Sequence, residues 1–268
     1  MLKDITLGQF FPGKSPVHRM DPRTKIIMLV VYIVLLFVSS SWASYGCMAV
    51  FLLVSIKIST IPLKSIVRGM KPVVMILIFT GVLNLFFTTG GTVLVHFWVL
   101  TITTEGLIRA IFMMGRILML ISGTFLLTYT TSPIALTDGL ESLMKPLKKL
   151  HVPVHELSMM MCIALRFIPT LIEETDKIIS AQKARGADFE SGNLVQRAKA
   201  LVPILVPLFI SAFRRADELA TAMECRCYQG DVGRTKMKLL RYSRLDLHTF
   251  LTGGAMAVLI FTLKAFGL

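Results

Sequence analysis

The sequence predicts an all-α integral membrane protein with about five transmembrane helices and additional long helices in the cytoplasm or at the membrane interface. Of its 268 residues, 54% are hydrophobic, and the mean hydropathy is +0.70. Charged residues make up 17%, whereas about 25% is typical of soluble domains. Several apolar runs approach the roughly 20 residues that cross a bilayer core of about 30 Å. Because backbone groups in lipid must be hydrogen-bonded within their own segment, we expect these runs to be helical.

Residues 1–131 are predicted to form an N-terminal transmembrane region of about four spans. The apolar runs 26–42 and 45–56 are separated by a short serine-rich turn, which predicts a tight helical hairpin. The second of these runs is shorter than a full crossing, so part of the turn is expected to lie within the membrane. The runs 72–87 and 106–131 supply a third and a fourth span.

Two further segments complete the predicted membrane region. Residues 88–105 contain no lysine or arginine, which is typical of an external loop. Within this loop, the β-branched run Thr92–Thr104 favours a small β-hairpin. Residues 246–268 are predicted to form a C-terminal transmembrane helix, whose apolar run covers 247–266.

The distribution of basic residues predicts the orientation of the chain. The net charge is +13, from 29 basic and 16 acidic residues. The basic residues are concentrated in segments 1–25, 57–71 and 132–245, and the exceptions are Arg109, Arg116 and Lys264. Since cytoplasmic loops of membrane proteins carry an excess of lysine and arginine, we expect a multi-pass protein of the cell membrane. Its N-terminus and residues 132–245 are expected to be cytoplasmic.

Residues 132–245 combine charge with two apolar runs that are too short to cross the membrane comfortably. The segment holds 17 basic and 12 acidic residues. The runs cover 157–165 and 201–213, and the longer one would measure about 20 Å as a helix. We therefore expect helices that lie in the interface or pack against protein.

Both runs begin long helices that end at an arginine held between small residues. The first has an apolar stripe at a spacing of three and four residues and ends at Ala184-Arg185-Gly186, where Gly186 predicts a left-handed cap. The second ends at Glu224-Cys225-Arg226-Cys227, and Gly230 is the predicted stop. Prolines are expected to bend both helices, at Pro169 in the first and at Pro203 and Pro207 in the second.

The two arginines, Arg185 and Arg226, have two interpretations. An arginine at a helix end between small residues projects freely, and its planar fork fits carboxylates and carbonyls of a partner's groove. Alternatively, both arginines complement the negative C-terminal ends of their helix dipoles. The residues alone leave both interpretations open.

The order of the motifs adds a family resemblance. The N-terminal stretch runs Gly8-Gln9-Phe10, then Pro12-Gly13-Lys14-Ser15-Pro16-Val17-His18-Arg19-Met20-Asp21-Pro22-Arg23-Thr24-Lys25, and the two arginine motifs follow it. With these hydrophobic blocks, the chain resembles the transmembrane T component of energy-coupling factor (ECF) transporters, the EcfT and CbiQ-like family. The match covers essentially the whole chain. One departure is Cys225-Arg226-Cys227, where the family usually has Ala-Arg-Gly.

The resemblance implies a non-catalytic subunit of an ATP-driven importer. In such a transporter, two ABC-type ATPase subunits bind ATP, and this chain holds no cofactor or metal of its own. Residues 132–245 would form the cytoplasmic coupling-helix region, and its ATPase-docking residues would be Ala184, Arg185, Gly186, Glu224 and Arg226. A membrane-embedded substrate-binding S component, for vitamin or metal-ion uptake, would contact a platform formed by Met144, Met159, Met160, Leu205 and Phe209. The N-terminal family motif contributes Asp21, Pro22, Arg23 and Lys25.

Two motifs match the letters of a nucleotide-binding loop and of half a zinc site, but their sequence context does not support either site. Gly8-x4-Gly13-Lys14-Ser15 has the letters of a P-loop, but only seven residues precede it and Pro16 follows, so a strand and a helix cannot flank it as a P-loop requires. Cys225 and Cys227 resemble half of a zinc site, but no second cysteine or histidine pair lies nearby in the sequence. We expect neither nucleotide nor metal to bind.

The charge pattern also bears on alternative functions. A secondary transporter or channel would require polar or charged residues along a path through the spans, and few are present. Arg109 and Arg116 lie seven residues apart, on one helical face of the fourth span, with Asn84 as a candidate polar partner of Arg116. A membrane-embedded enzyme would require a catalytic cluster in the spans, and none is evident.

Overall fold

A computed structural model describes residues 10–87, 90, 92–97, 100–187, 189, 193–230 and 239–266. Gly8 and Gln9 of the N-terminal stretch lie outside these residues, as do residues 231–238. The described chain is predominantly helical, as expected for an all-α membrane protein.

The helices follow the predicted spans in order, with a short hairpin between the third and the fourth. The elements are α1 Pro16–Arg19, α2 Pro22–Val38, α3 Trp42–Ser59, α4 Leu63–Phe87, β1 Val93–Phe97, β2 Leu100–Thr103, α5 Thr104–Thr130, α6 Pro133–Met144, a 3-10 helix Lys145–Leu150, α7 Val154–Ala184, α8 Leu194–Glu224 and α9 Arg244–Ala265. The strands β1 and β2 pair antiparallel, which confirms the predicted β-hairpin.

The observed helices extend beyond the apolar runs that predicted them. The basic stretch 57–71 mostly belongs to the helices α3 and α4, since lysine and arginine are good helix formers. Six described helices, α3, α4, α5, α7, α8 and α9, are long and apolar enough to cross a membrane by length and composition. α2 has 17 residues, which corresponds to about 26 Å.

The chain folds into two compact units. One comprises residues 8–139 together with 240–268, and the other centres on residues 140–239. The larger unit has a buried apolar core built by α2, α3, the start of α4, the end of α5 and α9, with members Tyr32, Leu35, Leu36, Met48, Leu52, Ile56, Ile61, Ile66, Tyr129 and Ile260. Its outward residues are also apolar, as in Met75 and Phe79 of α4, which suits a surface in contact with lipid.

The N-terminal motif caps α2 and ties it to α9 within this unit. The Asp21 carboxylate accepts hydrogen bonds from the backbone N–H of Arg23 at 2.9 Å and from the Arg23 guanidinium at 2.8 Å and 3.0 Å. The backbone N–H of Asp21 donates to the buried carboxylate of Asp246 at 2.9 Å. Asp246 in turn caps α9 through Ser243, and the Arg23 guanidinium lies over the Tyr242 ring. Asp21 is therefore the N-cap of α2, and it joins two helices that are distant in the chain.

The side chain of Lys25 in the same motif is buried. The ammonium Nζ donates to the carbonyl oxygens of Thr130 at 2.9 Å and His18 at 3.3 Å, and to the hydroxyl of Thr131 at 3.2 Å. All three donors of the lysine are used. Lys25 thus fixes the C-terminal end of α5 to the start of α2.

We predict that Lys25→Met destabilises the protein, because it leaves buried carbonyl oxygens without a donor. The loss in the free energy of unfolding should be about 2–4 kcal/mol. The measurement is the midpoint of thermal unfolding in detergent, with Lys14→Met as the control because Lys14 is exposed. Equal midpoints for the two variants would contradict the role assigned to Lys25.

Candidate functional site

The α7 helix ends with a backbone geometry that presents Arg185. Ala184 is its last residue, Arg185 is the C-cap, and Gly186 adopts a left-handed conformation with φ +84°. The N–H of Gly186 donates to the carbonyl of Lys183 at 3.0 Å, and that of Ala187 donates to Gln182 at 3.0 Å. This is the pattern of a Schellman cap, which glycine adopts most easily.

The α8 helix ends in the same way, but without a glycine. Glu224 is its last residue, and Cys227 adopts the left-handed conformation with φ +54°. The N–H of Cys227 donates to the carbonyl of Glu224 at 2.8 Å, and that of Tyr228 donates to Met223 at 3.1 Å. The prediction that Gly230 ends this helix was wrong, because the stop comes three residues earlier. Cys227 therefore occupies the position that corresponds to Gly186.

The matching caps leave both arginine side chains available. Arg185 and Arg226 are exposed, and within the described part of the chain neither forms an ion pair or a side-chain hydrogen bond. The backbone N–H groups of the caps already bond to carbonyls of the last helical turn. Among the described residues, direct capping of those carbonyls by the guanidinium groups is not observed.

α7 and α8 pack as antiparallel neighbours, linked by a polar cluster. The Glu174 carboxylate on α7 accepts a hydrogen bond from the Ser211 hydroxyl and forms an ion pair with Arg215 at 2.8 Å. Ser211 and Arg215 lie four residues apart, on one face of α8. The Glu174 and Arg215 side chains are 23% and 34% exposed, so the pair is less screened by water than a surface ion pair.

A second contact compensates for a proline. Pro207 has no N–H, so the carbonyl of Pro203, four residues earlier, loses its helical donor. The Gln182 side chain of α7 donates to this carbonyl at 3.4 Å. Gln182 lies less than one turn before Arg185. The end of α7 is therefore attached to the proline-containing part of α8.

The antiparallel arrangement places the two arginines at opposite ends of the helix pair. Arg226 and Met159 line one cavity of 420 Å³, together with Met223, Cys227 and Tyr228. Met159 lies near the beginning of α7 and Arg185 at its end, so about 39 Å of helix separates the two arginine sites. The five predicted docking residues thus form two separate sites, with Ala184, Arg185 and Gly186 in one and Glu224 and Arg226 in the other.

Four of the five predicted platform residues lie along this helix pair, and they do not form a single patch. Leu205 and Phe209 belong to an exposed apolar stripe on one face of α8, formed by Val202, Leu205, Val206, Phe209, Ile210 and Phe213. Met159 and the exposed Met160 lie at the Arg226 end of the pair, about 25 Å along α8 from Phe209. Met144 ends α6. We call the exposed apolar face of α8 from Val202 to Phe213 the apolar strip.

Sequence reasoning missed two buried or half-buried carboxylates in this unit. One is Glu174. The other is Glu141 on α6, whose carboxylate accepts from the Ser158 hydroxyl at 2.9 Å and lies 3.3 Å from Nδ1 of His155. These contacts fix the first turns of α7 to α6. The i, i+4 pair Ser211 and Arg215 was the one local signal that a carboxylate faces α8.

The chain is similar in sequence to known transport proteins. The model of the CbiQ family, described as a cobalt transport protein, matches residues 13–238. The chain is 57% identical to the energy-coupling factor transporter transmembrane protein EcfT of Thermosediminibacter oceani over 257 residues, which cover 96% of this chain and 97% of that protein. Proteins with the same description in Clostridium kluyveri and Listeria innocua are 58% identical over 92% of both chains, and 45% identical over 99% of this chain and 100% of theirs.

We predict that Cys227→Gly stabilises the end of α8, because glycine adopts a positive φ without the steric cost that a side chain incurs. The gain should be about 0.5–1 kcal/mol. In amide hydrogen exchange followed by mass spectrometry, the N–H groups of residue 227 and Tyr228 should exchange about two- to fivefold more slowly. The control is Cys225→Gly, since Cys225 has an ordinary φ, and it should slow nothing. Faster exchange in Cys227→Gly would contradict the assignment.

Proposed function

The chain belongs to the CbiQ and EcfT family and is a transmembrane component of an energy-coupling factor transporter, and from this premise we propose that it is the coupling subunit of an ABC-type importer. In this role it links ATP hydrolysis by two cytoplasmic ATPase subunits to a membrane-embedded S component. The S component binds the transported vitamin or metal ion. ATP is held by the partner subunits, so the chain itself is non-catalytic and holds no cofactor.

The observation that carries the proposal is that α7 and α8 each end in an exposed arginine with the same backbone cap. Because the helices are antiparallel, the two arginines lie at opposite ends of the helix pair. Two exposed guanidinium groups about 39 Å apart along the helix are too distant to enter one groove. They fit two separate subunits, each of which receives one helix end. Carboxylates and carbonyls in the groove of each ATPase would bind the planar fork.

The exposed apolar strip supports contact with the S component. On α8 it runs from Val202 to Phe213, with Phe209 61% and Phe213 72% exposed. An apolar stripe on one face of a helix requires lipid or a protein partner to cover it. The methionines at the Arg226 end of α7 add flexible side chains that can pack against different partners. We propose that the S component covers this strip.

The orientation follows from the same role. The ATPase subunits are cytoplasmic, so both arginine ends must face the cytoplasm. The excess of basic residues in segments 1–25 and 132–245 supports this orientation through the positive-inside rule. The N-terminus is then cytoplasmic as well.

The polar cluster on Glu174 supplies a route by which movement of one helix reaches the other. When ATP closes the two ATPase subunits, each arginine follows its own subunit. Glu174 connects α7 to Ser211 and Arg215 of α8, so the two helices move as a pair. The apolar strip on α8 then shifts against the S component.

We predict that the double variant Arg185→Glu, Arg226→Glu loses ATPase association and substrate uptake while it still inserts into the membrane, because glutamate reverses the charge presented to each groove. The measurement is co-purification of the ATPase subunits with the tagged chain from membranes. Each single variant should retain an ATPase subunit at the other end. Arg214→Glu is the matched control, since Arg214 is exposed in the middle of α8. Undiminished co-purification with the double variant would exclude this docking mode.

We also predict that Glu174→Ala reduces substrate uptake per ATP hydrolysed, because it removes the ion pair that joins α7 to α8. The reduction should be roughly fivefold, which corresponds to about 1 kcal/mol. Uptake and ATP hydrolysis are measured together in vesicles that contain the complete transporter. Adding Arg215→Ala to Glu174→Ala should cause little further loss.

The control for this variant is Glu173→Ala, which changes the neighbouring exposed carboxylate. ATPase co-purification should be normal in all of these variants. An unchanged ratio of uptake to hydrolysis in Glu174→Ala would show that the cluster does not transmit movement.

A further inference from the structure

A second cavity lies in the larger unit, where α2 turns into α3. Its volume is 320 Å³, within the range of small-ligand sites. It is lined by Ser40, Tyr45, Asn84, Arg109, Phe112, Met113 and Arg116. The lining therefore combines two cations with an amide, hydroxyl groups and apolar side chains.

Arg116 is held in this cavity by neutral groups. Its Nε donates to the Tyr45 hydroxyl at 2.8 Å and its Nη2 donates to the carbonyl of Ser39 at 3.4 Å. The guanidinium also lies 5.3 Å from the centre of the Phe37 ring. Its Nη1 group has no acceptor among the residues that the structure describes. These contacts fix the orientation of the guanidinium and leave its Nη1 group available to a ligand.

Arg116 has no counter-charge in the described part of the chain. Its side chain is only partly exposed, and a charge that is withdrawn from water without a partner charge raises the free energy of the folded protein. The acidic residue of α5, Glu105, lies three turns away and pairs with Arg109 at 3.6 Å. The exposed Glu105–Arg109 pair contributes little to stability. An anion from outside the chain would compensate the charge of Arg116.

Arg109 provides the second cation of the same cavity. It precedes Arg116 by two helical turns, about 10.5 Å along the axis, and lies on the same face of α5. Two arginines that converge on one cavity are suited to phosphate, which accepts paired N–H groups from a planar guanidinium.

The surroundings of the cavity favour a phosphate that carries acyl chains. Trp42 packs against Phe112, with 4.5 Å between the ring centroids and 48° between the ring planes, and is 60% exposed, as is typical of aromatic residues at a membrane interface. On α4, the exposed apolar residues Ile76, Phe79 and Leu83 precede Asn84 of the cavity. They provide a surface for acyl chains beside the polar site.

We propose that this cavity binds the phosphate headgroup of an anionic phospholipid, with Arg116 and Arg109 as its cationic ligands. The bound lipid supplies the counter-charge of Arg116 and fills the recess beside the α2–α3 turn. Arg116 binds the phosphate through its Nη1 group and keeps its bonds to Tyr45 and Ser39. This site is independent of the ATPase-docking ends.

The test is native mass spectrometry of the purified full chain in a neutral detergent, titrated with dioleoyl phosphatidylglycerol or dioleoyl phosphatidylcholine. Wild type should bind the phosphatidylglycerol more tightly. Arg116→Gln should weaken that binding at least about tenfold, as expected for the loss of a charge-assisted hydrogen bond. Arg68→Gln is the matched control, because Arg68 is an exposed arginine of α4 that does not line the cavity, and it should leave binding unchanged.

A second variant and a third titrant complete the test. Asn84→Asp adds a carboxylate to the cavity and leaves the bonds of Arg116 intact, so it should also weaken phosphatidylglycerol binding, even if Arg116→Gln fails to fold. Equal affinity of wild type for the two lipids would overturn the proposal, as would unchanged binding in Asn84→Asp. Inorganic phosphate that binds as tightly as phosphatidylglycerol would overturn the lipid as the source of the phosphate.

Discussion

The pairing of α7 and α8 depends on the Glu174 carboxylate. This group accepts bonds from two α8 side chains one turn apart, so it fixes both the direction and the register of the pair. A shift of α8 by one residue would rotate Ser211 and Arg215 by about 100° away from Glu174. The antiparallel register in turn places Arg185 and Arg226 at opposite ends. A half-buried ion pair adds little net stability, since desolvation offsets most of the attraction. Its contribution here is specificity, because it determines which alignment of two long apolar helices is stable.

The prolines explain why such a link is needed. Each proline inside α7 or α8 removes one backbone hydrogen bond and makes the helix easier to bend at that point. Glu174 lies five residues after Pro169, and Ser211 lies four residues after Pro207. The rigid contact thus lies next to the weakest backbone of both helices. Gln182 of α7 donates a hydrogen bond to the Pro203 carbonyl, which lacks its helical donor. A bend in α8 and the position of the α7 end are therefore connected. In the proposed coupling role, motion that enters at one arginine would therefore act on both helices.

Local patterns predicted the features that depend on neighbours in the sequence. Apolar runs predicted the membrane helices, the serine-rich turn predicted the α2–α3 hairpin, and Gly186 predicted the cap of α7. The features that were missed depend on residues far apart in the chain. Lys25 is buried because Thr130, more than 100 positions away, supplies its acceptor, and Glu174 finds its partners 37 and 41 positions later. The end of α8 was misplaced for a different reason. Propensity favours glycine for a left-handed residue, and the chain instead uses Cys227, one position after Arg226.

The basic side chains differ in how many of their hydrogen-bond donors find acceptors within the chain. This difference separates cations that stabilise the fold from cations that are available to bind a partner. Lys25 uses all three donors on internal oxygen atoms, and Arg23 is held by Asp21, so both are fixed parts of the fold. Arg116 is oriented by Tyr45 and Ser39 but keeps its Nη1 group without an acceptor among the described residues. Arg185 and Arg226 have no side-chain partner in the described chain, although the backbone around them is fully capped. The partly buried guanidinium of Arg116 loses part of its hydration, and a bound anion would restore that free energy. Arg185 and Arg226 keep their hydration, so the fixed backbone around them lowers only the entropy cost of binding a partner.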